Sequence, residues 1–128
     1  MNLLLDTHLL LWAAGQPDKL SAEASSLLLE PDHQLVFSSA SLWEITIKRG
    51  LGRPDFSVDP RRFWRRLLEN GYRELPVTGE HAIAVEALPS LHKDPFDRIL
   101  LAQARVEGLL LVTTDRVVAE YGDRVRKV

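Results

Sequence analysis

The chain is 128 residues long, enough to bury one hydrophobic core of useful size, and its 45% hydrophobic and 27% charged residues match an ordinary soluble domain rather than a disordered or membrane-embedded chain. It contains no cysteine, which excludes disulfides, thiolate zinc sites and a cysteine nucleophile. The net charge of -2 gives no overall attraction to nucleic acid, yet the charges are uneven. Residues 1–47 carry six acids and only Lys19 as a base, whereas seven of the 16 basic residues fall between Lys48 and Arg66.

The N-terminus, Met1-Asn2-Leu3-Leu4-Leu5-Asp6, has no basic region, and an acid cuts its apolar stretch after three leucines. It therefore reads as neither a signal peptide nor a spanning helix, and the expectation is a cytoplasmic protein made of one domain over residues 1–128. Leu3 to Leu5 is short enough for a buried parallel strand, and Thr7 to Gly15 follows as a helix stopped by Gly15 and Pro17. A second helix runs from its N-cap Ser21 through three leucines to Glu30, where Pro31-Asp32 breaks it, and Leu35-Val36-Phe37 is the second strand.

Ser38 to Gly50 reads as a mostly buried helix, since Leu42, Trp43, Ile45, Thr46 and Ile47 are too apolar for a solvated one. Asp59-Pro60 opens the next helix with a cap and a proline at its first position. Phe63, Trp64, Leu67 and Leu68 share one of its faces, and Arg61, Arg62, Arg65 and Arg66 share another. Tyr72 to Val77 is a modest strand, Thr78 caps a helix reaching Leu88, and Asp94-Pro95 starts a helix that continues to Glu107. Leu109 to Val112 carries the strongest strand signal. A short helix around Val117 to Tyr121 and a strand near Val125 finish the chain.

Strands alternating with helices imply right-handed crossovers and a mostly parallel sheet of about five strands covered on both faces, a Rossmann-like three-layer α/β/α arrangement. Ligands of such sheets bind beyond the carboxyl ends of the strands. Asp6 and Asp115 each follow a buried strand directly, so two carboxylates from distant sequence are expected at one edge. Taken singly, the acids have ordinary roles. Asp6 and Asp115 can cap helices, Ser41 and Glu44 have capping-box spacing, and Asp97 suits the first turn after Asp94.

Taken together, Asp6, Glu44, Asp97 and Asp115 all fall at the same end of the expected sheet. Carboxylates gathered in one pocket repel one another unless a divalent cation is present. Mg²⁺ needs only one or two direct carboxylates, with others acting through water, so four acids suffice for one or two ions. This points to a metal-dependent phosphodiester reaction needing no protein nucleophile.

The blocks Leu3-Leu4-Leu5-Asp6-Thr7-His8, Ser41-Leu42-Trp43-Glu44-Ile45, His92-Lys93-Asp94-Pro95-Phe96-Asp97-Arg98 and Thr113-Thr114-Asp115-Arg116 occur in an order and spacing that resembles a PIN domain. The resemblance is specifically to the VapC-like toxins of bacterial and archaeal toxin-antitoxin pairs. It spans nearly the whole chain, and Asp94-Pro95-Phe96-Asp97-Arg98 is its most specific part. It implies a Mg²⁺- or Mn²⁺-dependent endoribonuclease with Asp6, Glu44, Asp97 and Asp115 as catalytic metal ligands and Thr113 and Thr7 in support. It also implies an RNA substrate, a small cognate antitoxin and a homodimer built on apolar helix faces.

Other positions keep two readings each. Asp94 is a natural helix cap whether or not a metal is near, and Arg98 either contacts RNA phosphate or pairs with Asp94 or another nearby acid. The arginine face is either solvated or a contact surface for RNA or an acidic partner segment. Trp12, Trp43 and Trp64 read as core or interface rather than as base-stacking platforms. The four histidines lack metal-cluster spacing and are unassigned, although His92 is close to Asp97.

Among rival functions, a signalling receiver needs an acidic pair after its first strand, where this chain has Asp6-Thr7-His8. A nucleotide triphosphatase needs a glycine-rich phosphate loop that is absent from the sequence. A non-catalytic RNA- or partner-binding module with the same fold is the remaining alternative.

Overall fold

Short apolar runs that cannot be solvated on either face pair side by side in the computed structural model, which describes residues 1–122 and 124–128. The elements are β1 (Asn2–Leu5), α1 (Thr7–Gly15), α2 (Ala22–Leu29), β2 (Gln34–Ser38), α3 (Ser39–Gly50) and α4 (Pro60–Glu69), followed by β3 (Arg73–Leu75), α5 (Gly79–Ala84), α6 (Pro95–Glu107), β4 (Leu110–Thr113), α7 (Arg116–Ala119) and β5 (Val125–Lys127). The five strands form one sheet in the order β3-β2-β1-β4-β5, and every pairing in it is parallel. The expected three-layer α/β/α architecture is therefore present.

Strand periodicity divides the core into two layers. Leu3, Leu5, Phe37 and Val112 face a cluster with Leu9 and Leu10 of α1, Ile45 of α3 and Phe63 and Leu67 of α4. Leu4, Val36 and Leu111 face the opposite cluster with Leu100, Leu101 and Ala104 of α6 and Val118 of α7. Each fully buried leucine contributes about 1.5–3 kcal/mol of transfer free energy. Consecutive leucines at 3, 4 and 5 thus fasten both helical layers to the central strand.

The chain steps outward from β1 through β2 to β3, then returns to the other side of β1 for β4. The reversal lies between β1 and β4, and a crevice opens beyond the carboxyl ends of these two neighbours. Asp6 follows β1 and Asp115 follows β4 by two residues, so topology alone brings them to this crevice.

Four local expectations need correction. Ser38, not Ser41, caps α3 by accepting the Ala40 N–H at 3.0 Å, so no Ser41–Glu44 capping box forms and Glu44 is left for other work. Helix α3 is also not mostly buried. Ala40, Ser41, Glu44 and Ile45 face inward, while Trp43 is 63% exposed and Ile47 lies with it on the outer side. In α4, Leu68 is exposed although Phe63 and Leu67 are buried, because the inward stripe is narrower than the apolar composition suggested. Strand β3 stops at Leu75, as Pro76 has no N–H to continue a ladder.

Candidate active site

Asp6, Glu44, Asp97 and Asp115 line one cleft of about 240 Å³ together with Thr7, His8, Lys48, His92, Asp94 and Thr114. Each acid arrives from a different element. Asp6 is the N-cap of α1, its Oδ1 accepting the Leu9 N–H at 2.9 Å, and Asp115 is the N-cap of α7, its Oδ1 accepting from Val117 and Val118 at 2.7 and 3.2 Å. In both cases the cap occupies one carboxylate oxygen and leaves the other pointing elsewhere. The capping roles and the convergence on one cleft are therefore compatible.

Asp6 is 6% exposed, and burial raises its pKa above the ordinary carboxylate value despite opposing hydrogen bonds from Thr113 and Leu9. The Thr113 hydroxyl donates to Asp6 Oδ2, and the Thr114 N–H reaches the same oxygen at 3.4 Å. Thr113 Oγ1 also accepts the Asp115 N–H at 3.0 Å. Thr7, expected in a similar role, lines the cleft and donates to Ser41 Oγ at 3.0 Å, which ties α1 to the inner face of α3.

Asp97 lies in the first turn of α6, whose N-cap Asp94 accepts from Phe96 and Asp97 N–H groups at 2.8 and 3.4 Å. Asp94 thus caps the helix and lines the cleft at once. The Asp97 carboxyl is pushed up to about 7, first by burial and then by the negative charge of Asp94, with Asp6 and Glu44 adding to it and His92 opposing it.

His92 is the residue that spacing did not single out. Its Nε2 lies 2.7 Å from Asp97 Oδ2 and 3.7 Å from Asp115 Oδ2, and the three residues offer ligand atoms within 4.8 Å of one another. Its place depends on a loop that sequence periodicity does not describe. The Tyr121 hydroxyl accepts the His92 N–H at 2.8 Å and donates to the Pro89 carbonyl at 2.9 Å. Arg98 donates to the carbonyls of Val85, Pro89 and His92 at 3.1–3.3 Å. Among the described residues Arg98 pairs with no acid; its guanidinium fixes the loop that carries His92.

Glu44 is 4% exposed, with Oε2 at 2.6 Å from Lys48 Nζ one helical turn onward. Its Oε1 is buried and has no hydrogen-bond partner among the described residues. A buried carboxylate oxygen without a donor is costly, so the cleft is chemically incomplete as the protein chain alone. The available donors are mainly hard carboxylate oxygens, the set that suits Mg²⁺ or Mn²⁺. The residues present fit such an ion.

The arginines of α4, Arg61, Arg62, Arg65 and Arg66, are exposed and lie outside this cleft, as their helix-face pattern indicated. The Trp64 indole N–H donates to Glu74 at 2.8 Å, which anchors α4 to the edge strand β3.

An all-parallel five-stranded α/β fold with acids gathered at the switch point defines a recognisable class. The family model described as the PIN domain matches residues 3–123, and this chain belongs to that family. Ribonuclease VapC22 of Mycobacterium tuberculosis is 32% identical over 116 residues, 90% of this chain and 88% of the relative. The structure of VapBC2 from Rickettsia felis, bound to a DNA fragment from their promoter, covers 99% of this chain and 98% of that chain at 16% identity and a TM-score of 0.70. VapC20 of Mycobacterium tuberculosis, a sarcin-ricin loop cleaving toxin, covers 94% and 95% at 20% identity and a TM-score of 0.61. These two structural likenesses are likenesses of fold.

Proposed function

We propose that this chain is a Mg²⁺- or Mn²⁺-dependent endoribonuclease and the toxin component of a toxin-antitoxin pair. The observation that carries the reading is the convergence of Asp6, Glu44, Asp97 and Asp115 on one cleft in which Glu44 Oε1 is buried without a partner. Kinship with Ribonuclease VapC22 supports RNA as the substrate.

In this reading Asp6, Glu44, Asp97 and Asp115 hold the metal. When bound, such an ion polarises the phosphoryl oxygen and lowers the pKa of an attacking water. The chain's own contribution is preorganisation. Thr113 and the Leu9 N–H fix the two oxygens of Asp6, the α7 N–H groups fix Asp115, and Asp94 fixes the start of the helix that presents Asp97. His92 Nε2 stands between the two carboxylates, 2.7 Å from Asp97 Oδ2 and 3.7 Å from Asp115 Oδ2, and so fixes their spacing.

Partners follow from the surface. A groove of about 650 Å³ lined by Ala40, Trp43, Val77, Val85, Phe96 and Ile99 lies beside the cleft, and Trp43 in its wall is exposed. Apolar surface of this kind marks a protein contact, and we assign it to a second copy in a homodimer. The exposed arginines of α4 are assigned to phosphate or to an acidic segment of the antitoxin. A cytoplasmic site of action belongs to the same proposal; among the described residues no helix is long and apolar enough to cross a membrane.

The test is incubation of wild type and Asp97→Asn with total cellular RNA in Mg²⁺, Mn²⁺ or chelator, followed by mapping of new ends. Discrete cuts that need both the metal and Asp97 support the nuclease. RNA binding that survives Asp97→Asn, with no cleavage by either protein, would make this a contact-only module.

A further inference from the structure

Among the described residues of the cleft, Lys48 is a cation that the acidic reading leaves without a task. It stands one turn after Glu44 on α3, its side chain is 19% exposed, and its Nζ donates to Glu44 Oε2 at 2.6 Å. The ammonium is also boxed by two aromatic rings, 4.9 Å from the centroid of Phe56 and 5.7 Å from that of Phe96. A lysine normally spends its long stem in many rotamers, and here packing restricts it to one place at the wall of the cleft.

An ammonium has three N–H donors, and among the described residues Glu44 Oε2 is the hydrogen-bond partner that Lys48 has. Glu44 divides its two oxygens in the same way: Oε2 receives Lys48, and the buried Oε1 receives nothing. A pure structural ion pair would saturate the carboxylate, because an unpaired buried oxygen costs free energy. The arrangement instead leaves one oxygen of Glu44 for a metal and the remaining donors of Lys48 for a second anion beside it. Five carboxylates line the cleft, those of Asp6, Glu44, Asp94, Asp97 and Asp115, and they repel an incoming anion, whereas the Lys48 ammonium in the same wall attracts it.

We propose that Lys48 is a catalytic residue that binds a non-bridging oxygen of the scissile RNA phosphate while remaining hydrogen-bonded to Glu44. The inference rests on the nuclease reading above. In the reaction the water oxygen forms a new bond to phosphorus and gives up a proton, the bond from phosphorus to the leaving ribose oxygen breaks, and that oxygen takes up a proton, so the proton count is unchanged. Lys48 makes and breaks no covalent bond; its charge faces the negative charge that grows on the phosphoryl oxygens, where a preplaced donor is most effective. Lysine serves as a compact point charge toward phosphate, which suits a cleft with space for one ammonium.

The test compares wild type, Lys48→Met and Lys48→Arg. Methionine keeps an apolar stem between Phe56 and Phe96, and arginine keeps the charge. The first readout is binding of a short fluorescent single-stranded oligoribonucleotide across a salt series, with Ca²⁺ replacing Mg²⁺. Phosphate contact is sequence-independent, so loss of one contact lowers the slope of log affinity against log salt by about 0.7 for a single strand. We expect that drop in Lys48→Met and its recovery in Lys48→Arg.

The second readout is cleavage at saturating Mn²⁺, where Lys48→Met should lose on the order of 10²-fold in kcat, with affinity for Mn²⁺ by calorimetry not reduced. An unchanged salt slope, no RNA binding by wild type, or a cleavage deficit seen at limiting Mn²⁺ and absent at saturation would overturn the proposal. The last result would mean that Lys48 serves only to hold Glu44. If wild type binds with the steeper slope yet cleaves nothing, the phosphate contact stands and the nuclease reading fails.

Discussion

The Thr113 hydroxyl donates to Asp6 Oδ2 and accepts the Asp115 N–H, so one side chain at the end of β4 joins two acids that lie 109 positions apart in the chain. The bond is buried, and it counteracts the desolvation that raises the Asp6 carboxyl. Thr113→Val keeps the shape and removes the hydroxyl. It leaves a buried carboxylate with one donor fewer and the Asp115 N–H unpaired, so it should cost about 1–3 kcal/mol in urea unfolding. Affinity for Mn²⁺ by calorimetry should fall with it. Wild-type stability and affinity in the variant would show that Thr113 is a bystander.

Burial pushes Asp97 and Asp6 toward the protonated form, and the like charges of Asp94, Asp6 and Glu44 add to it at Asp97. A divalent ion relieves this by binding the folded state alone, adding about 2.7 kcal/mol at a hundredfold excess over its dissociation constant. Thermal melts in millimolar Mg²⁺ or Mn²⁺ should therefore rise, while Asp97→Asn should melt higher than wild type in chelator and respond weakly to either ion. Melting curves indifferent to both ions would argue against a preformed metal site.

The same carboxyl sets a pH dependence. With Asp97 pushed up to about 7 in the folded state, the folded protein keeps a proton that the unfolded chain loses near its ordinary value of 3.8. Stability in chelator should consequently decline as pH rises from about 4 through about 7 and level off above, since the folded state binds more protons in that window. Metal binding runs the opposite way. It needs the carboxylate, so affinity for Mn²⁺ should climb up to about pH 7 and flatten beyond it, with proton release below that point. Calorimetry in buffers of different ionisation enthalpy reads the released proton directly. A flat profile in wild type, or an identical one in Asp97→Asn, would place the controlling group elsewhere.

The order of elements was legible because each carries its own punctuation. Ser21, Asp59, Thr78 and Asp94 are N-caps as their spacing indicated, and the leucine runs at residues 3–5 and 109–112 lie in or at the two strands flanking the switch point. The meeting of four acids was legible for the same reason, since strand ends of a parallel sheet share one edge. His92 and Lys48 were not. His92 is placed by Tyr121 and Arg98 acting on a loop without periodicity, and Lys48 by Phe56 in the turn after α3 and by Phe96, far from it in sequence. The inner and outer sides of α3 were equally hidden, because Trp43 and Ile45 are both apolar and only packing decides which one faces the sheet.

That exposed tryptophan leads to the prediction about assembly. Trp43 is 63% exposed and stacks edge-on against Phe96 at 5.3 Å on the wall of the apolar groove, next in sequence to Glu44. A large aromatic left in water on a rigid helix forgoes the burial that its side chain normally contributes, and aromatic anchors of this kind are enriched at protein interfaces. If the groove is the homodimer contact, Trp43→Arg should convert a dimer to a monomer in sedimentation equilibrium at micromolar concentration. Far-ultraviolet circular dichroism should be unchanged, since Trp43 lies outside both buried clusters. A wild type that sediments as a monomer, or a variant that stays dimeric, would assign the groove to another partner. Because Trp43 adjoins Glu44 on α3, dissociation should also loosen the start of that helix and weaken Mn²⁺ binding in the variant, a coupling that calorimetry on the two proteins would read.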